Sequence, residues 1–254
     1  MSSPPDHATP SDFGSAFRRA IARLPQEPGG ITVLFSGGLD SSLLAWELRQ
    51  RPGTVLWTVG REGSPDLTAA RSAAAAMGLP WQHAPIAPAD VEAALDRFAS
   101  ELEGAEGPAF DVAVAFALAL DRTPTALAVA GQGADELFLG YAHFRGLSEG
   151  EATHRADLDL RHLTETEWPR TERIATRAGR RLVAPFLDPE VQRAAGSIPI
   201  PERMPEGVPK RWLREWAIAR GLPREIASRP KRAIQYGSQV QRMIRELRPA
   251  PRSR

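Results

Sequence analysis

The chain of 254 residues contains no cysteine. That excludes a disulfide framework, thiolate metal ligation and a cysteine nucleophile. Tyrosine is nearly absent as well, represented only by Tyr141 and Tyr236. Of 32 basic side chains, only Lys210 and Lys231 are lysine, and the rest are arginine. Where arginine serves almost everywhere, a retained lysine points to a place that needs a compact ammonium. The formal charge is +1, so nothing supports a nucleic-acid footprint over the whole surface. The longest apolar run, Val112 to Leu120, is far short of the roughly 20 residues that span a bilayer. The first 12 residues are polar and proline-rich, without the charged-then-apolar pattern of a signal peptide. Residues 1–12 and the basic tail 248–254 are expected to be disordered. A soluble, cytoplasmic protein with no membrane association is expected.

What is present is a clear alternation of elements. Residues 31–35 read as a buried strand, 54–59 as a second apolar strand, and 81–86 and 125–130 as further strands. Helical patterns run over 13–24, 41–51, 65–77, 89–102 and 111–120. Ser64 is placed as an N-cap, Pro65 at the first helical position and Gly78 as the stop of the 65–77 helix. Strands alternating with helices predict an α/β fold, a parallel sheet with helices on both faces. Beyond about residue 145 no strong strand pattern appears, and the remainder reads as helices between proline turns. One domain over 13–247 is expected, with an α/β core at about 25–145 and a helical part at about 150–247. The five histidines are scattered and read as ordinary surface or packing residues.

The most informative stretch is Ser36-Gly37-Gly38-Leu39-Asp40-Ser41-Ser42, between the first strand and its helix. Strand, glycine turn and helix form a layout that holds phosphate on backbone amides. Gly37 and Gly38 keep Cβ atoms away from a ligand, and Ser36, Ser41 and Ser42 add hydroxyl donors. Asp40 beside phosphates makes sense as a ligand to Mg2+, a hard cation that bridges carboxylate and phosphate. The block is not a Walker loop, because it has no lysine and a different glycine spacing. A second glycine-bearing loop, Gly131-Gln132-Gly133-Ala134-Asp135-Glu136, follows the 125–130 strand. Asp135 is the candidate second Mg2+ ligand. Glu136 is explained equally by a helix N-terminus that favours negative charge.

The S-G-G-L-D-S-S block resembles the PP-loop of the ATP pyrophosphatases. Together with Thr58-Val59-Gly60, Ser64-Pro65-Asp66-Leu67, the 131–141 block, Pro185-Phe186-Leu187-Asp188 and Arg229-Pro230-Lys231, the chain resembles the synthetase domain of asparagine synthetases and the related β-lactam synthetases. These blocks span about residues 31 to 240. The resemblance implies an adenine-nucleotide-hydrolase-like fold and a ligase that adenylates a carboxylate, releases pyrophosphate and forms an amide. It implies that Leu34, Val59 and Gly60 contact adenine and ribose, and that Ser36, Gly38, Asp40, Ser41 and Ser42 hold pyrophosphate. Ala130 and Gly131 would lie near the α-phosphate, and Asp40 and Asp135 would bind Mg2+. Lys231 would neutralise charge during the reaction. Lys210, at the start of a helix, either assists at the phosphates or is a solvated helix-end charge. Phe186 and Leu187 are expected in the core; Tyr141 and Tyr236 are candidates to line an acceptor pocket, with core packing the preferred reading for Tyr141.

Two departures from the family pattern matter. The glutaminase half with its catalytic cysteine has no counterpart in this cysteine-free chain, so nitrogen would come from ammonia, an amine or a separate glutaminase subunit. Gln132 stands where asparagine synthetases carry a glutamate, and an amide cannot act as a base near neutral pH. The partners implied are therefore ATP, Mg2+, a small carboxylate and ammonia or an amine. Two other readings stay open: a PP-loop enzyme that modifies tRNA, and a non-catalytic nucleotide-binding subunit.

Overall fold

The structure is a computed structural model that describes residues 10–229 and 233–247. Five parallel strands form one sheet: β1 (Ile31–Leu34), β2 (Thr54–Gly60), β3 (Trp81–Pro85), β4 (Leu127–Val129) and β5 (Arg181–Val183), in the order β3-β2-β1-β4-β5. β1 is central. It pairs with β2 from Ile31↔Thr54 to Leu34↔Trp57, and with β4 from Ile31↔Leu127 to Val33↔Val129. The chain runs outward from β1 to β3, then crosses back to lay β4 on the other side of β1. Strand order therefore reverses between β1 and β4, and their carboxyl ends open the crevice where such sheets bind ligands.

β1 has no polar face to show solvent. Ile31 and Val33 are fully buried on one side and Thr32 on the other, as expected of a parallel strand covered on both faces. Thr32 Oγ1 meets Thr125 Oγ1 at 2.8 Å, so the one buried hydroxyl of the strand is satisfied.

Helices α1 (Pro10–Ala22), α2 (Leu39–Leu48) and α3 (Pro65–Met77) contribute to one apolar layer, which contains Phe13, Phe17, Leu43, Leu44, Val33 and Leu56. The opposite layer contains α4 (Pro88–Arg97), α5 (Ala99–Leu102) and α6 (Gly107–Asp121). α6 is buried at every residue from Ala113 to Leu120, which explains why its sequence is apolar all round rather than amphipathic. α3 carries the expected punctuation: Ser64 Oγ accepts from Leu67 N, Pro65 opens the helix, and Gly78 ends it at φ 65°.

The rest of the chain forms α7 (Ala134–Leu137), α8 (Glu149–His162), a π-helical turn (Leu163–Glu167), α9 (Trp168–Arg177), α10 (Pro189–Gly196), α11 (Ile200–Arg203), α12 (Arg211–Ala219), α13 (Arg224–Ala227), α14 (Ile234–Gly237) and α15 (Val240–Leu247).

Several expectations need correction. β5 lies in the region expected to be wholly helical. It is three residues long and is held by pairing with β4. The fourth strand is shorter than 125–130, because Thr125 Oγ1 turns back to donate to Leu127 O. The single helix expected over 89–102 is two helices, broken at the buried Phe98 (φ −108°, ψ 20°). α1 begins at Pro10, inside the stretch expected to be disordered. Phe186 is fully buried, whereas Leu187 is only half-buried. The expectations for 1–9 and 248–254 lie outside the described residues. Among the described residues, no helix is long and apolar enough to cross a membrane.

Candidate active site

The turn after β1 is built by glycine. Gly37 has φ +67°, and a Cβ there would lie 2.6 Å from Ala69 O, so no other residue fits without moving the backbone of α3. The turn is wrapped by its own hydroxyls. Ser36 N and Gly38 N donate to Ser41 Oγ and Ser36 Oγ at 3.2 and 3.3 Å, and Ser41 Oγ donates to Gly38 O at 3.3 Å. This places Asp40 in the first turn of α2.

The turn after β4 comes against it. A Cβ on Gly131 would lie 2.9 Å from Asp40 Cβ. Gly133, at φ +95°, turns the chain into α7 and places Asp135 in its first turn.

Lys210 joins the two turns. It precedes α12 in a left-handed conformation (φ 55°), with its amide donating to Phe138 O at 3.1 Å. Its Nζ lies 2.7 and 2.6 Å from the two oxygens of Asp40 and 2.6 Å from Asp135 Oδ1. Oxygens of the two carboxylates are thus no further apart than twice the length of one ion pair. The lysine side chain is 3% exposed, which overturns the reading of a solvated charge. Burial alone would lower its pKa. The charges of Asp135 and Asp40 and their hydrogen bonds outweigh that and hold it above the ordinary lysine value. Gly140 makes room for the arrangement, since a Cβ there would lie 1.9 Å from Asp135 Oδ1 and 2.4 Å from Lys210 Cε.

A second buried group stands behind Asp135. Burial first, then the neighbouring Asp135 charge, pushes the Glu136 carboxyl up to about 7. Tyr141 donates its hydroxyl to Glu136 Oε1 at 2.5 Å, and burial together with the Glu136 charge holds the phenol far above its usual value. Tyr141 lines the cleft and also packs against the small core cluster that contains Leu139 and Phe144.

The C-terminal elements are strapped onto the same place. Arg229 donates to Ser36 O at 2.9 Å and approaches Asp66 Oδ1 at 3.9 Å. The Asp66 carboxylate packs so closely on Gly237 that a Cβ there would meet it at 2.1 Å. Arg214, one helical turn beyond Lys210, is bound to the carbonyls of Pro209, Ala227 and Arg229. Its pKa is lowered by burial against the pull of Asp40 and Asp135.

These elements enclose a cleft of about 370 Å³. Of the residues expected at a site, Leu34, Ser36, Gly38, Asp40, Ser41, Val59, Ala130, Gly131, Gln132, Asp135 and Lys210 line it. Three do not. Gly37 faces Ala69, Ser42 is fully buried beneath the turn, and Gly60 packs on Ser64 and Ser238. Lys231 lies outside the described residues. A larger groove of about 570 Å³ runs beside β5. It contains none of the expected site residues; of the arginines that line it, Arg23, Arg180 and Arg181, the first is paired with Asp188 and Glu190. The candidate site is therefore the cleft at the strand switch, where the expected residues gather. Asp66, Arg214, Arg229 and Glu136 joined the site without being expected there. Arg214 had one usable signal, its four-residue spacing from Lys210 on one helical face.

The donor set fits Mg2+. Among the described residues no third acidic or histidine side chain completes a closed metal cage. Mg2+ does not need one, being held by one or two carboxylates with substrate phosphates and water.

The family model described as asparagine synthase matches residues 12–159 and 145–252. That is well over half of the sequence, and the chain belongs to this family. It is 31% identical to the glutamine-hydrolysing asparagine synthetases of Pongo abelii and Mus musculus, over 87% of this chain and 42% of each of theirs. The chain spans about half the length of the curated relatives it matches. A solved structure from Methanocaldococcus jannaschii, described as a predicted subunit of a tRNA methyltransferase, covers 80% of this chain at 17% identity and a TM-score of 0.36. At that level of superposition it supports no functional argument.

Proposed function

We propose that the chain is an ATP-dependent ligase that adenylates a carboxylate and converts the adenylate to an amide. The observation that carries this reading is the bridging of Asp40 and Asp135 by Lys210 across the carboxyl ends of β1 and β4. The Ser36–Ser42 turn would receive the β- and γ-phosphates on its amides and hydroxyls. Asp40 and Asp135 would hold Mg2+, which when bound neutralises charge on the phosphates.

A substrate carboxylate oxygen attacks the α-phosphorus, the bond to the β-phosphate oxygen breaks, and pyrophosphate leaves. Ammonia or an amine then attacks the acyl carbon, AMP leaves, and the nitrogen loses a proton. Lys210 keeps its charge through this sequence and offsets the charge gathering on the departing pyrophosphate, a contribution typically worth about 3–4 kcal/mol for one preorganised donor. Gln132, beside Gly131, can hydrogen-bond the adenylate or the acceptor but cannot take a proton near neutral pH. Lys231 is proposed as a further cation for the reaction.

AMP and pyrophosphate should appear in equal amounts when ATP, Mg2+, a carboxylate and an amine are supplied together. Steady ADP without AMP would overturn the assignment. ATP binding by calorimetry without turnover on any carboxylate would instead make the chain a nucleotide-binding subunit.

A further inference from the structure

The cleft is not chemically uniform along its length. Its cations Lys210, Arg214 and Arg229 are all bound around Asp40, Ser36 and their neighbours. The wall made by the π-helical turn and α14 has the opposite character. The wider turn at Leu163–Glu167 brings both of its end residues to the cleft, and such turns recur at functional sites. Glu167 is near enough to Tyr141 for its charge to raise the phenol's pKa, and its Oε1 lies 3.3 Å from His162 Nε2. Gln235 lines the same cleft, 3% exposed, and its Oε1 has no hydrogen-bond partner. Gln132 Oε1 is buried in the same condition. Val112 from α6 lines the same cleft and supplies apolar surface.

Buried carbonyl oxygens without donors are costly, so their presence here asks for a ligand that brings donors. Two orphan amide oxygens and a carboxylate lining one cleft select a cationic donor, and the apolar wall selects a hydrocarbon body. We infer that this end of the cleft binds the ammonium of a primary alkylamine, which serves as the nitrogen donor. A free amino acid would also bring a carboxylate, and the cleft's described cations are all committed at the phosphate end. The role as nitrogen donor rests on the ligase reading, whereas the binding site does not.

The test is a ligand-observed NMR titration of the full chain with n-butylamine, n-butanol and L-aspartate, with calorimetric ATP binding measured alongside. The amine should bind saturably, and about tenfold or more tighter than the alcohol, as expected for a charge-assisted contact. Glu167→Gln should lose about tenfold or more in amine affinity with ATP affinity unchanged, Glu167→Asp should lose less, and Gln235→Leu should lose several-fold. Equal binding of amine and alcohol, aspartate binding more tightly than the amine, or an amine affinity unmoved by Glu167→Gln would each overturn the site. Should Glu167→Gln fail to fold, the wild-type preference for amine over alcohol decides. Normal amine binding without ATP binding would sink the ligase reading and leave the amine site standing. Normal ATP turnover without amine binding would do the reverse.

Discussion

The phosphate turn and the rest of the cleft wall differ in how their polar groups are satisfied. At the phosphate end the charges are paired: Lys210 holds Asp40 and Asp135, Arg229 holds Ser36 O, and Ser36 and Ser41 hold their own turn, while Ser42 Oγ beneath it is buried without a partner. Along the rest of the cleft wall Trp57 Nε1, Gln132 Oε1 and Gln235 Oε1 are buried with no partner. The first is organised by ion pairs before any ligand arrives, and Mg2+ would have to share with Lys210 the carboxylate oxygens it holds. The second carries desolvated groups that a ligand with matching donors or acceptors would satisfy, and so would discriminate between ligands.

Removing the organiser should give the largest effect. Lys210→Met leaves two carboxylates facing each other in a buried place. Stripping one partner from a buried pair costs about 3–5 kcal/mol, to be read from urea denaturation, with AMP formation abolished. If the variant were as stable as the parent, the phosphate end would not depend on this ion pair and the contrast would fail.

Glu136 tests the same end by pH. Its carboxyl titrates near 7 in the folded chain and at 4.5 as its ordinary value. Between these pH values the unfolded chain releases the proton while the folded chain retains it. Stability in EDTA should therefore fall as pH rises from 4.5 to 7, and stay level above that. The drop should be about 3 kcal/mol, taking roughly 1.4 kcal/mol for each tenfold change in proton concentration. Glu136→Gln should flatten this slope. An unchanged slope would mean that another group titrates there.

Much of this contrast could be read before any coordinates, and the reason is locality. Strands buried on both faces appear as unbroken apolar runs, so β1 and β2 were legible from composition alone. Asp40 and Asp135 were legible because each follows a glycine turn at a strand end. β5 was not, because three residues beginning with an arginine carry no period, and pairing with β4 decides their conformation. Lys210 was noticed as one of two lysines, yet its partner Asp40 is 170 residues away, and nothing local reports such a contact. The Arg229–Ser36 bond, across 193 residues, was hidden for the same reason. Glu167 had no signal at all, since its direction follows from a π-helical turn that no residue in Leu163–Glu167 announces.

A smaller effect should come from crowding the organised end without removing charge. In Gly140→Ala the new methyl would overlap Asp135 Oδ1 and Lys210 Cε. Overpacking of this kind costs about 1–3 kcal/mol. Because the overlap is with the ion pair itself, AMP formation should fall much more than the melting temperature. An equal and modest loss of both would show that the ion pair can shift without consequence, and that its geometry is looser than that of a preorganised site.

The smallest expected change sharpens the comparison from the wall beside Leu34. Trp57 lies opposite Leu34 in the β1–β2 register and lines the cleft with its indole N–H unpartnered. Trp57→Phe keeps an aromatic wall and removes the donor. If the nucleobase accepts from that N–H, calorimetric ATP affinity should fall about three- to tenfold, the equivalent of roughly 0.5–1.5 kcal/mol for one neutral hydrogen bond. The ligand-free variant, relieved of a buried unsatisfied donor, should lose less stability than the missing ring volume alone would cost. If ATP affinity is unchanged, the orphan donor is a packing defect, and an unpartnered polar atom on this wall no longer identifies a ligand contact.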